Sequence, residues 1–511
     1  MAVLCLVLNS GALKTVIAQD ALVDHVFSDP VEPASRIQLT ATESGSPPAL
    51  LPPPEPEEED LLQLRRELEE MKNRILQLEA DQHVIPEPVT PKKKYPTFTI
   101  TGFTQLDSAL YDQSQNNKDT VGNAQNGTGF RRARLAVKGK VAEHTNYQVE
   151  MDFATAGHPS FFDTYVEQTN VPWLSDVKIG QFCQPFSIDA LTGFRNLTFL
   201  ERSLPFLAFV PFRRVGAQST NLSEDEMTAF AISVYRTGGF QNAPLGDNRF
   251  GVDIGDEGGI SISSRIHHLV QYDPNVGDRY LWAIGASYNY SVLAANTADG
   301  STSPVPFYRT RVLPEFGPLG NSDMSQPFGD ANNMTPSFID SGRYRANYFN
   351  LIGLETVYQN GPVGITSEYM INVVDSPVGP IFYHGAYAQI AYRLTGEHRS
   401  YNKTLGTLGT LVPNTDFISF RHGGVKGWGA WEIAARWSFV DIRNPDDLNP
   451  YYLNGTSNVG NGILNDTTVG FTWFLNQHFK IQGNWIHCML DNRVRGYSTA
   501  DLLVSRVQVD F

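Results

Sequence analysis

The last residues of the chain, Leu502–Phe511 (LLVSRVQVDF), alternate between two kinds of side chain. One side of the pattern holds Arg506, Gln508 and Asp510, and the other holds Leu503, Ser505, Val507, Val509 and Phe511. Successive side chains of a β-strand point to opposite faces, so a period of two predicts a strand here. The strand is expected to have one polar face and one mostly apolar face that ends in an aromatic ring.

The same period begins after Tyr95 and recurs along the chain, for example in NYQVEMDF (146–153), YLWAIGASYNYSV (280–292) and GAWEIAARWSF (429–439). Several of these segments exceed the five or six residues that are usual in soluble β-proteins, which argues against a β-sandwich or a β-helix. Strands of about ten residues with one apolar face are typical of a transmembrane barrel. We therefore predict an all-β fold, a transmembrane antiparallel β-barrel, over residues 96–511.

The links between these segments are of two kinds. Tight links such as VAEHTN, QNGP and LNQH alternate with long excursions such as Ala294–Gly342 and Gly396–Gly427. This alternation predicts short turns at one end of the barrel and long loops at the other. After the first 18 residues no apolar run approaches the roughly 20 residues that a spanning helix needs. Membrane insertion would therefore have to use strands.

The first 95 residues divide into four segments. Residues 1–18 are predicted to be a signal peptide, because an apolar run precedes small residues suited to cleavage. Residues 19–60 end in PPPEPEEED and are predicted to be disordered. Residues 61–82 are predicted to form a short α-helical coiled coil, and residues 83–95 a linker. A single amphipathic helix packed on a domain would show the same apolar spacing, which is carried by Leu61, Leu64, Leu68, Met71, Ile75 and Leu78.

A basic stretch, FRRARLAVKGK (130–140), stands out in a chain whose formal net charge is -15. Its odd positions are apolar or small from Ala133 onward, and its even positions carry Arg132, Arg134, Lys138 and Lys140. Arg or Lys facing lipid near the membrane midplane costs about 2–4 kcal/mol each. The four cations are therefore expected to face the inside of the barrel.

Two outcomes are open for these cations. They could pair with carboxylates on neighbouring strands, for which the candidates are Asp107, Glu150, Asp152, Asp163 and Glu167. Alternatively, some of them could stay unpaired and act on an ion in the pore, since wall charges lie within the Debye length of about 8 Å. Unpaired cations would favour the passage of anions.

The chain lacks the motifs of several enzyme classes, namely a nucleotide-binding loop, HExxH and Gly-x-Ser-x-Gly. Adjacent His267 and His268 would point to opposite faces of a strand, so they cannot bind one metal ion together. We predict no enzyme activity, no catalytic residues, no metal site, no cofactor and no nucleic-acid partner. The three cysteines lack metal or redox spacing, and a bridge between Cys183 and Cys488 is left open.

Five segments, taken in order, resemble the phosphate-selective porin family of Gram-negative outer membranes: FRRARLAVKGK, DTYVEQTNVPWLSDVKIGQF, LTFLERSL, YRLTGEHRSYN and GAWEIAARWSF. The amphipathic last strand ending in Phe511 is also similar to the signal that outer-membrane assembly recognises. The resemblance covers about residues 95–511 and implies a homotrimer of barrels with about 16 strands each, embedded in outer-membrane lipid. Inward-folded loops and basic side chains would guide small anions through the pore.

By position, the resemblance assigns the family's basic strand to Arg131, Arg132, Arg134, Lys138 and Lys140, and its inserted segment to Gln184–Val215. That insert carries Arg202, Arg213 and Arg214 as further pore-lining or anion-binding candidates, and it could fold into the pore or pack at a subunit interface. One position departs from the family: GQFCQPF has Cys183 where members often have lysine.

The resemblance implies passive diffusion of small solutes, with a preference for anions such as phosphate or other oxyanions. Two alternatives remain open. One is a general or sugar-conducting porin, favoured by the aromatic residues of the insert and by Cys183. The other is an envelope anchor that uses the barrel together with a periplasmic coiled coil, which would reach towards peptidoglycan.

Overall fold

The computed structural model describes residues 58–82, 95–154, 159–237, 259–293, 305–316, 335–417, 427–453, 457 and 460–511. The predicted signal peptide, most of the predicted disordered segment and nearly all of the linker lie outside the described residues. The chain divides into two units, Met1–Pro91 and Lys92–Phe511. None of the described helices is both long enough and apolar enough to cross a membrane.

The first unit contains helix α1, Glu58–Gln82. It begins three residues before the predicted boundary and ends where the heptad pattern predicted. The apolar side chains Leu64, Leu68, Met71 and Ile75 are 56–63% exposed. Their spacing of three and four places them on one side of the helix. The helix is therefore confirmed, and its association with other copies stays a prediction.

In the second unit, sixteen antiparallel strands of the described residues close into one barrel. In chain order they are β1 (Thr99–Gln113), β2 (Gly127–Ala142), β3 (Thr145–Asp152), β4 (Ser160–Val171), β5 (Ser175–Cys183), β6 (Arg213–Leu222), β7 (Thr228–Arg236), β8 (Ile260–Asp273), β9 (Gly277–Val292), β14 (Tyr348–Asn360), β15 (Val363–Ser376), β16 (Gly379–Arg393), β19 (Ala430–Asp441), β20 (Gly462–Asn476), β21 (Phe479–Asn492) and β22 (Gly496–Asp510). Three small two-stranded sheets lie in the connections: β10 (Phe307–Tyr308) with β13 (Tyr344–Arg345), β11 (Arg311–Val312) with β12 (Ile339–Asp340), and β17 (Arg399–Asn402) with β18 (Thr407–Leu411). The helices of this unit are α2 (Gln115–Val121), α3 (Ile188–Leu191) and α4 (Leu204–Phe209).

The barrel closes where β1 pairs with β22, the strand predicted from the last residues. The backbone of Phe511 exchanges two hydrogen bonds with Gly102, at 3.0 and 2.9 Å. Its ring also occupies the space beside that glycine, because a Cβ built on Gly102 would lie 2.5 Å from Cζ of Phe511. The terminal aromatic ring thus rests against the first strand at a position where no side chain is in the way.

The two faces of the strands differ in the way the period of two predicted. On β8, Ile262, Ile266 and Val270 are exposed, whereas Arg265 and His267 on the opposite face are buried. An apolar surface on the outside and polar groups on the inside is the pattern of a barrel in lipid. Phe98, Ile100, Leu106 and Leu110, predicted to share one face, are 39–71% exposed.

The predicted separation of short turns and long loops is wrong for one long connection, and it also fails for two short turns, 377–378 and 493–495, which lie among the long loops. Residues 394–429, which include the predicted excursion Gly396–Gly427, join β16 to β19 at the end of the barrel where β1 begins and β22 ends. We call this the terminal end, and the opposite end the loop end. Three strands, β14–β16, separate this connection from the long connection after β9, and an odd number of strands carries the chain to the opposite end of the barrel. The next long connection therefore falls at the terminal end.

The insert between β5 and β6 lies inside the barrel, which decides between the two placements that the sequence left open. Its Phe186, Leu200, Leu204 and Phe209 are at most 1% exposed and belong to the largest hydrophobic cluster. The same cluster includes inward-facing residues of β14–β16 and β20–β22, such as Leu351. The main apolar core therefore fills part of the lumen. Cys183 and Cys488 are free thiols.

Candidate functional site

The basic strand β2 directs its even-numbered side chains into the lumen, as predicted. Arg132 and Arg134 are 3% and 5% exposed there, and Lys138 and Lys140, on the same face, are exposed nearer the terminal end. The pairing of β1 with β2 contains a β-bulge: Gln105 pairs with Arg132, whereas the next residue, Leu106, pairs with Phe130. This bulge brings a further cation into the lumen. The extra residue, Arg131, also points inward. A strict period of two would place Arg131 towards lipid, so the sequence pattern could not predict its inward direction.

Glu201 of the insert binds three guanidinium groups. Its carboxylate lies 3.0 Å from Arg131, 2.8 Å from Arg132 and 2.9 Å from Arg506. Arg506 also pairs with Asp107 at 2.7 Å. Burial by itself would raise the pKa of Glu201, but the three guanidinium groups outweigh it and hold that pKa well below its ordinary value. Three cations and two carboxylates leave this group with one excess positive charge.

Arg134 is also paired with carboxylates. Its Nε lies 2.8 Å from Asp152, and Nη1 lies 3.6 Å from Glu150. Its guanidinium stacks on the ring of Phe162, 3.5 Å from the centroid. Of the two outcomes that the sequence left open, pairing with carboxylates is therefore the one found for Arg132 and Arg134. Asp152 and Glu150 were among the candidate partners, whereas Glu201 was not, because only the folded insert brings it to β2.

A cavity of about 220 Å³ remains between the insert and the wall formed by β3–β8. Four cations line it, namely Lys178, Arg202, Arg213 and Arg265. The rest of the lining mixes apolar residues such as Phe182, Leu191 and Ala231 with polar ones, which are Gln148, Asp163, Tyr165, Thr192, Gln218, Thr220 and Thr404, and it includes Cys183. Two of the four cations, Arg202 and Arg213, were predicted as pore-lining residues; Lys178 and Arg265 were not.

Arg202 differs from the other cations of the cavity because it forms no ion pair with a described carboxylate. Its Nε donates to the carbonyl of Asp189 at 2.6 Å, and Nη2 donates to the carbonyl of Thr192 at 2.7 Å. The guanidinium stacks on Phe194, 3.9 Å from the ring centroid, and Nη1 is buried with no hydrogen-bond partner among the described residues. Burial lowers the pKa of Arg202 to about 10, so the group stays charged at neutral pH.

The three remaining cations of the cavity each contact a carboxylate. Arg213 pairs with Asp163 at 2.9 Å, Lys178 with Glu167 at 3.5 Å and Arg265 with Glu355 at 2.6 Å. Nη1 of Arg213, like that of Arg202, has no hydrogen-bond partner among the described residues. The lining thus holds one guanidinium that forms no ion pair with a described carboxylate, although the nearby Asp189 carboxylate offsets part of its charge, and the buried Nη1 groups of Arg202 and Arg213 have no hydrogen-bond partner among the described residues. An oxyanion can accept from such donors.

The wall of the cavity that faces the terminal end is formed by the connection between β16 and β19. This is the connection whose end of the barrel was wrongly predicted from loop length. Thr404 and Leu405, between β17 and β18, line the cavity. The carbonyl of Leu405 accepts from Nη1 of Arg265 at 2.6 Å, and the carbonyl of Lys403 lies 2.7 Å from Nε2 of His267. No motif in the sequence indicated that this hairpin enters the lumen.

The remaining predicted site residues lie apart from the cavity lining. Lys140 donates to the carbonyl of Glu143 at 3.1 Å, and neither Lys138 nor Lys140 forms an ion pair with a described carboxylate. Arg214 is buried at the start of β6, where its carbonyl accepts from Gln184 at 3.0 Å. Among the described residues, no cluster of His, Cys, Asp or Glu is arranged to hold a metal ion.

A closed barrel with an apolar outer surface, charged side chains in the lumen and an inward-folded insert defines a transmembrane channel of the porin class. The sequence comparison names the family: residues 98–262 and 326–511 match the model of phosphate-selective porin O and P. The chain belongs to this family and is an outer-membrane porin. The resemblance seen in the sequence is thereby confirmed.

Individual relatives are distant. Porin O of Pseudomonas aeruginosa PAO1 is 23% identical over 434 residues, covering 83% of this chain and 90% of that protein. An uncharacterized protein of Caulobacter vibrioides is 26% identical over 347 residues, covering 62% of this chain and 60% of that protein. Among solved structures, an anion-selective porin from Comamonas acidovorans matches with a TM-score of 0.44 and 10% identity, covering 81% of this chain and 99% of the other.

Proposed function

We propose that this porin passes small anions by passive diffusion and that its preference for anions arises at the cavity lined by Arg202 and Arg213. The observation that carries the proposal is the group of four cations in the cavity lining, among which the guanidinium of Arg202 forms no ion pair with a described carboxylate. At 4 Å and an effective dielectric constant near 20, one such charge contributes about 4 kcal/mol before solvent screening. The same charge opposes a cation of equal valence.

Oxyanions such as phosphate are the anions that suit this lining best. A tetrahedral oxyanion can accept from several donors at once, and guanidinium groups present paired donors. Cys183 lines the same cavity but carries no fixed positive charge in place of the family's frequent lysine. We therefore propose oxyanions as a class, with phosphate as one member.

The sugar-conducting alternative receives less support from the lining. Sugar transport through a porin would need aromatic rings that are free to contact the solute. Phe194, Phe206 and Phe212 of the insert are only 1–6% exposed, and all three lie beneath the guanidinium of Arg202. These rings instead pack against the guanidinium of Arg202.

The proposal is tested with the purified wild-type protein in a planar bilayer separating two KCl concentrations. We expect a reversal potential with the sign of chloride selectivity, and a decrease of the chloride current when inorganic phosphate is added. A reversal potential of the potassium sign would contradict the preference for anions. Absence of any conductance would favour the envelope-anchor alternative.

We further propose that the chain assembles as a homotrimer in which the three α1 helices form a coiled coil in the periplasm. The exposed heptad residues Leu64, Leu68, Met71 and Ile75 support this arrangement, because they would be covered by the equivalent residues of other copies. Contact of this stalk with peptidoglycan is part of the same proposal. Replacing Leu68 and Ile75 with Asp should remove the helical association, measured by chemical cross-linking within α1, without altering the barrel.

A further inference from the structure

The cavity lined by Arg202 and Arg213 is larger than an inorganic oxyanion requires. Its volume of about 220 Å³ corresponds to about seven water molecules at roughly 30 Å³ each. A phosphate ion held by these guanidinium groups fills only part of this space. The remainder is left to water or to a further part of the bound solute.

The cavity is also elongated along the strands of the barrel wall. Its lining includes Arg213 and Thr220, which are seven residues apart on β6, a separation of about 23 Å along a strand. Thr220 pairs with Ala231, and Ala231 pairs with Arg265. Arg213 and Arg265 therefore lie at different ends of the lining, and one compact anion cannot contact both.

Arg202 and Arg213 form a charged end of this cavity. The guanidinium groups of both lie over the ring of Phe212, 4.9 and 4.4 Å from its centroid. Arg213 is paired with Asp163, and Arg202 forms no ion pair with a described carboxylate. Because guanidinium groups present paired donors to an oxyanion, the charged group of a solute is expected here.

Apolar side chains line the cavity next to this charged end. Phe182 directly precedes Cys183, which is in register with Arg213, and Pro185 and Leu191 of the insert line the same cavity. A ligand gains affinity when its apolar part displaces poorly ordered water from such a surface. Sites for small organic molecules combine an apolar lining with a few polar groups that fix the orientation of the ligand. An inorganic oxyanion leaves the apolar part of this lining in contact with water.

We infer that the solute best suited to this porin is a small organic oxyanion, that is, a phosphate monoester or a carboxylate with an apolar body. The charged group binds at Arg202 and Arg213. The apolar body packs against Phe182, Pro185 and Leu191. This inference rests on the anion preference proposed above and narrows its substrate class.

Block of the chloride current of the wild-type protein in a planar bilayer tests the inference with pairs of probes that share a charged group. Inorganic phosphate is compared with phenyl phosphate, and acetate with benzoate, while benzyl alcohol serves as the uncharged control. We expect each aromatic anion to reach half-block at a concentration at least about tenfold lower than its partner, because its ring buries apolar area. Benzyl alcohol should not block.

Equal half-blocking concentrations within both pairs would overturn the inference, as would block by benzyl alcohol at the concentrations at which the aromatic anions act. A tenfold difference in one pair alone supports the inference and identifies which of the two charged groups the site takes.

Two matched variants assign the effect to this cavity. Leu191→Asn removes apolar surface from its lining. Leu408→Asn makes the same change at another half-buried leucine, which lines a small cavity between the insert and the wall formed by β15, β16 and β19. The advantage of phenyl phosphate over inorganic phosphate should fall at least about threefold for Leu191→Asn and keep its wild-type value for Leu408→Asn. The opposite result would overturn the inference.

The wild-type comparison of probes decides the question even if Leu191→Asn does not fold. Reversal potentials are recorded on the same bilayers, so that failure of the proposed function is seen separately. A potassium-sign reversal potential contradicts the anion preference itself. An anion-selective channel that phosphate and phenyl phosphate, and likewise acetate and benzoate, block equally contradicts only the inference about the organic body.

Discussion

The carboxylate of Glu201 accepts hydrogen bonds from both terminal nitrogens of Arg132, at 3.0 and 2.8 Å. The two residues are 69 positions apart in the chain. Glu201 belongs to the insert and Arg132 to the barrel wall, so this pair fixes the insert against β2. The Glu201 carboxylate also cancels the positive charge of Arg132, which would otherwise act on ions in the pore. The pair therefore joins the architecture of the lumen to its selectivity.

Replacing Glu201 with Gln should make the channel more anion-selective and less stable. The substitution leaves Arg131, Arg132 and Arg506 with Asp107 as their remaining carboxylate, so the net positive charge of the lumen rises by one. We expect an increase of the anion-to-cation permeability ratio of up to roughly fivefold, from about 1 kcal/mol per charge in a watery lumen. Breaking a buried ion pair should cost about 3–5 kcal/mol of stability.

Reversal potentials and thermal unfolding in detergent measure these two effects. Glu143→Gln, at an exposed position in the turn between β2 and β3, serves as the control and should change neither quantity appreciably. An unchanged permeability ratio for Glu201→Gln would show that the Arg131, Arg132 and Arg506 group does not act on permeating ions.

Removing a charge pair as a whole should leave selectivity unchanged. Arg134→Gln combined with Asp152→Asn deletes one positive and one negative charge that lie 2.8 Å apart. We expect the permeability ratio of the double variant to stay within about twofold of wild type, because a close pair has almost no net field at a distance. Arg134→Gln alone should lower anion preference, since Asp152 is then uncompensated. A large change in the double variant would contradict the assignment of Arg134 as a structural cation.

The two exposed lysines of β2 should influence the ion flow rather than the fold. Lys138 and Lys140 face the lumen near the terminal end and form no ion pair with a described carboxylate. Lys138→Gln with Lys140→Gln should reduce chloride conductance at low salt, and the difference from wild type should shrink at 1 M salt because screening shortens the Debye length to about 3 Å. A reduction that is independent of salt would argue for a change in pore shape.

Closure of the barrel should depend on the space beside Gly102. A Cβ there would lie 2.5 Å from the ring of Phe511 and 2.4 Å from the backbone oxygen of Arg134, so Gly102→Val is expected to weaken the pairing of β1 with both β22 and β2. The fraction of folded protein, measured as the band that shifts on heating before electrophoresis, should fall for this variant. A folded fraction of Gly102→Val equal to that of wild type would contradict the role of this contact.

Much of the fold could be predicted from local patterns. The period of two in Leu502–Phe511 predicted the closing strand, and the cost of placing Arg132 and Arg134 in lipid predicted their direction. Both arguments need only the backbone geometry of a strand and the polarity of its two sides. The position of the insert inside the lumen could not be predicted from these local patterns, because an aromatic-rich segment is compatible with either the lumen or a subunit interface.

Three features escaped prediction for physical reasons. The bulge at Arg131 depends on the register between β1 and β2, which a single strand does not encode. The connection 394–429 lies at the terminal end because three strands separate it from the long connection after β9, and loop lengths alone do not give that strand count. The pairing of Arg132 with Glu201 and the isolation of Arg202 depend on tertiary contacts between segments far apart in sequence.

The most direct test of the account is the reversal potential of Arg202→Gln beside wild type in the same KCl gradient. Arg202 is the cation of the cavity that forms no ion pair with a described carboxylate, while Arg213, Lys178 and Arg265 are paired. We predict that the wild type is anion-selective and that Arg202→Gln moves the reversal potential towards zero, with at least a roughly fivefold fall in the permeability ratio. Identical reversal potentials for the two folded proteins would contradict the account.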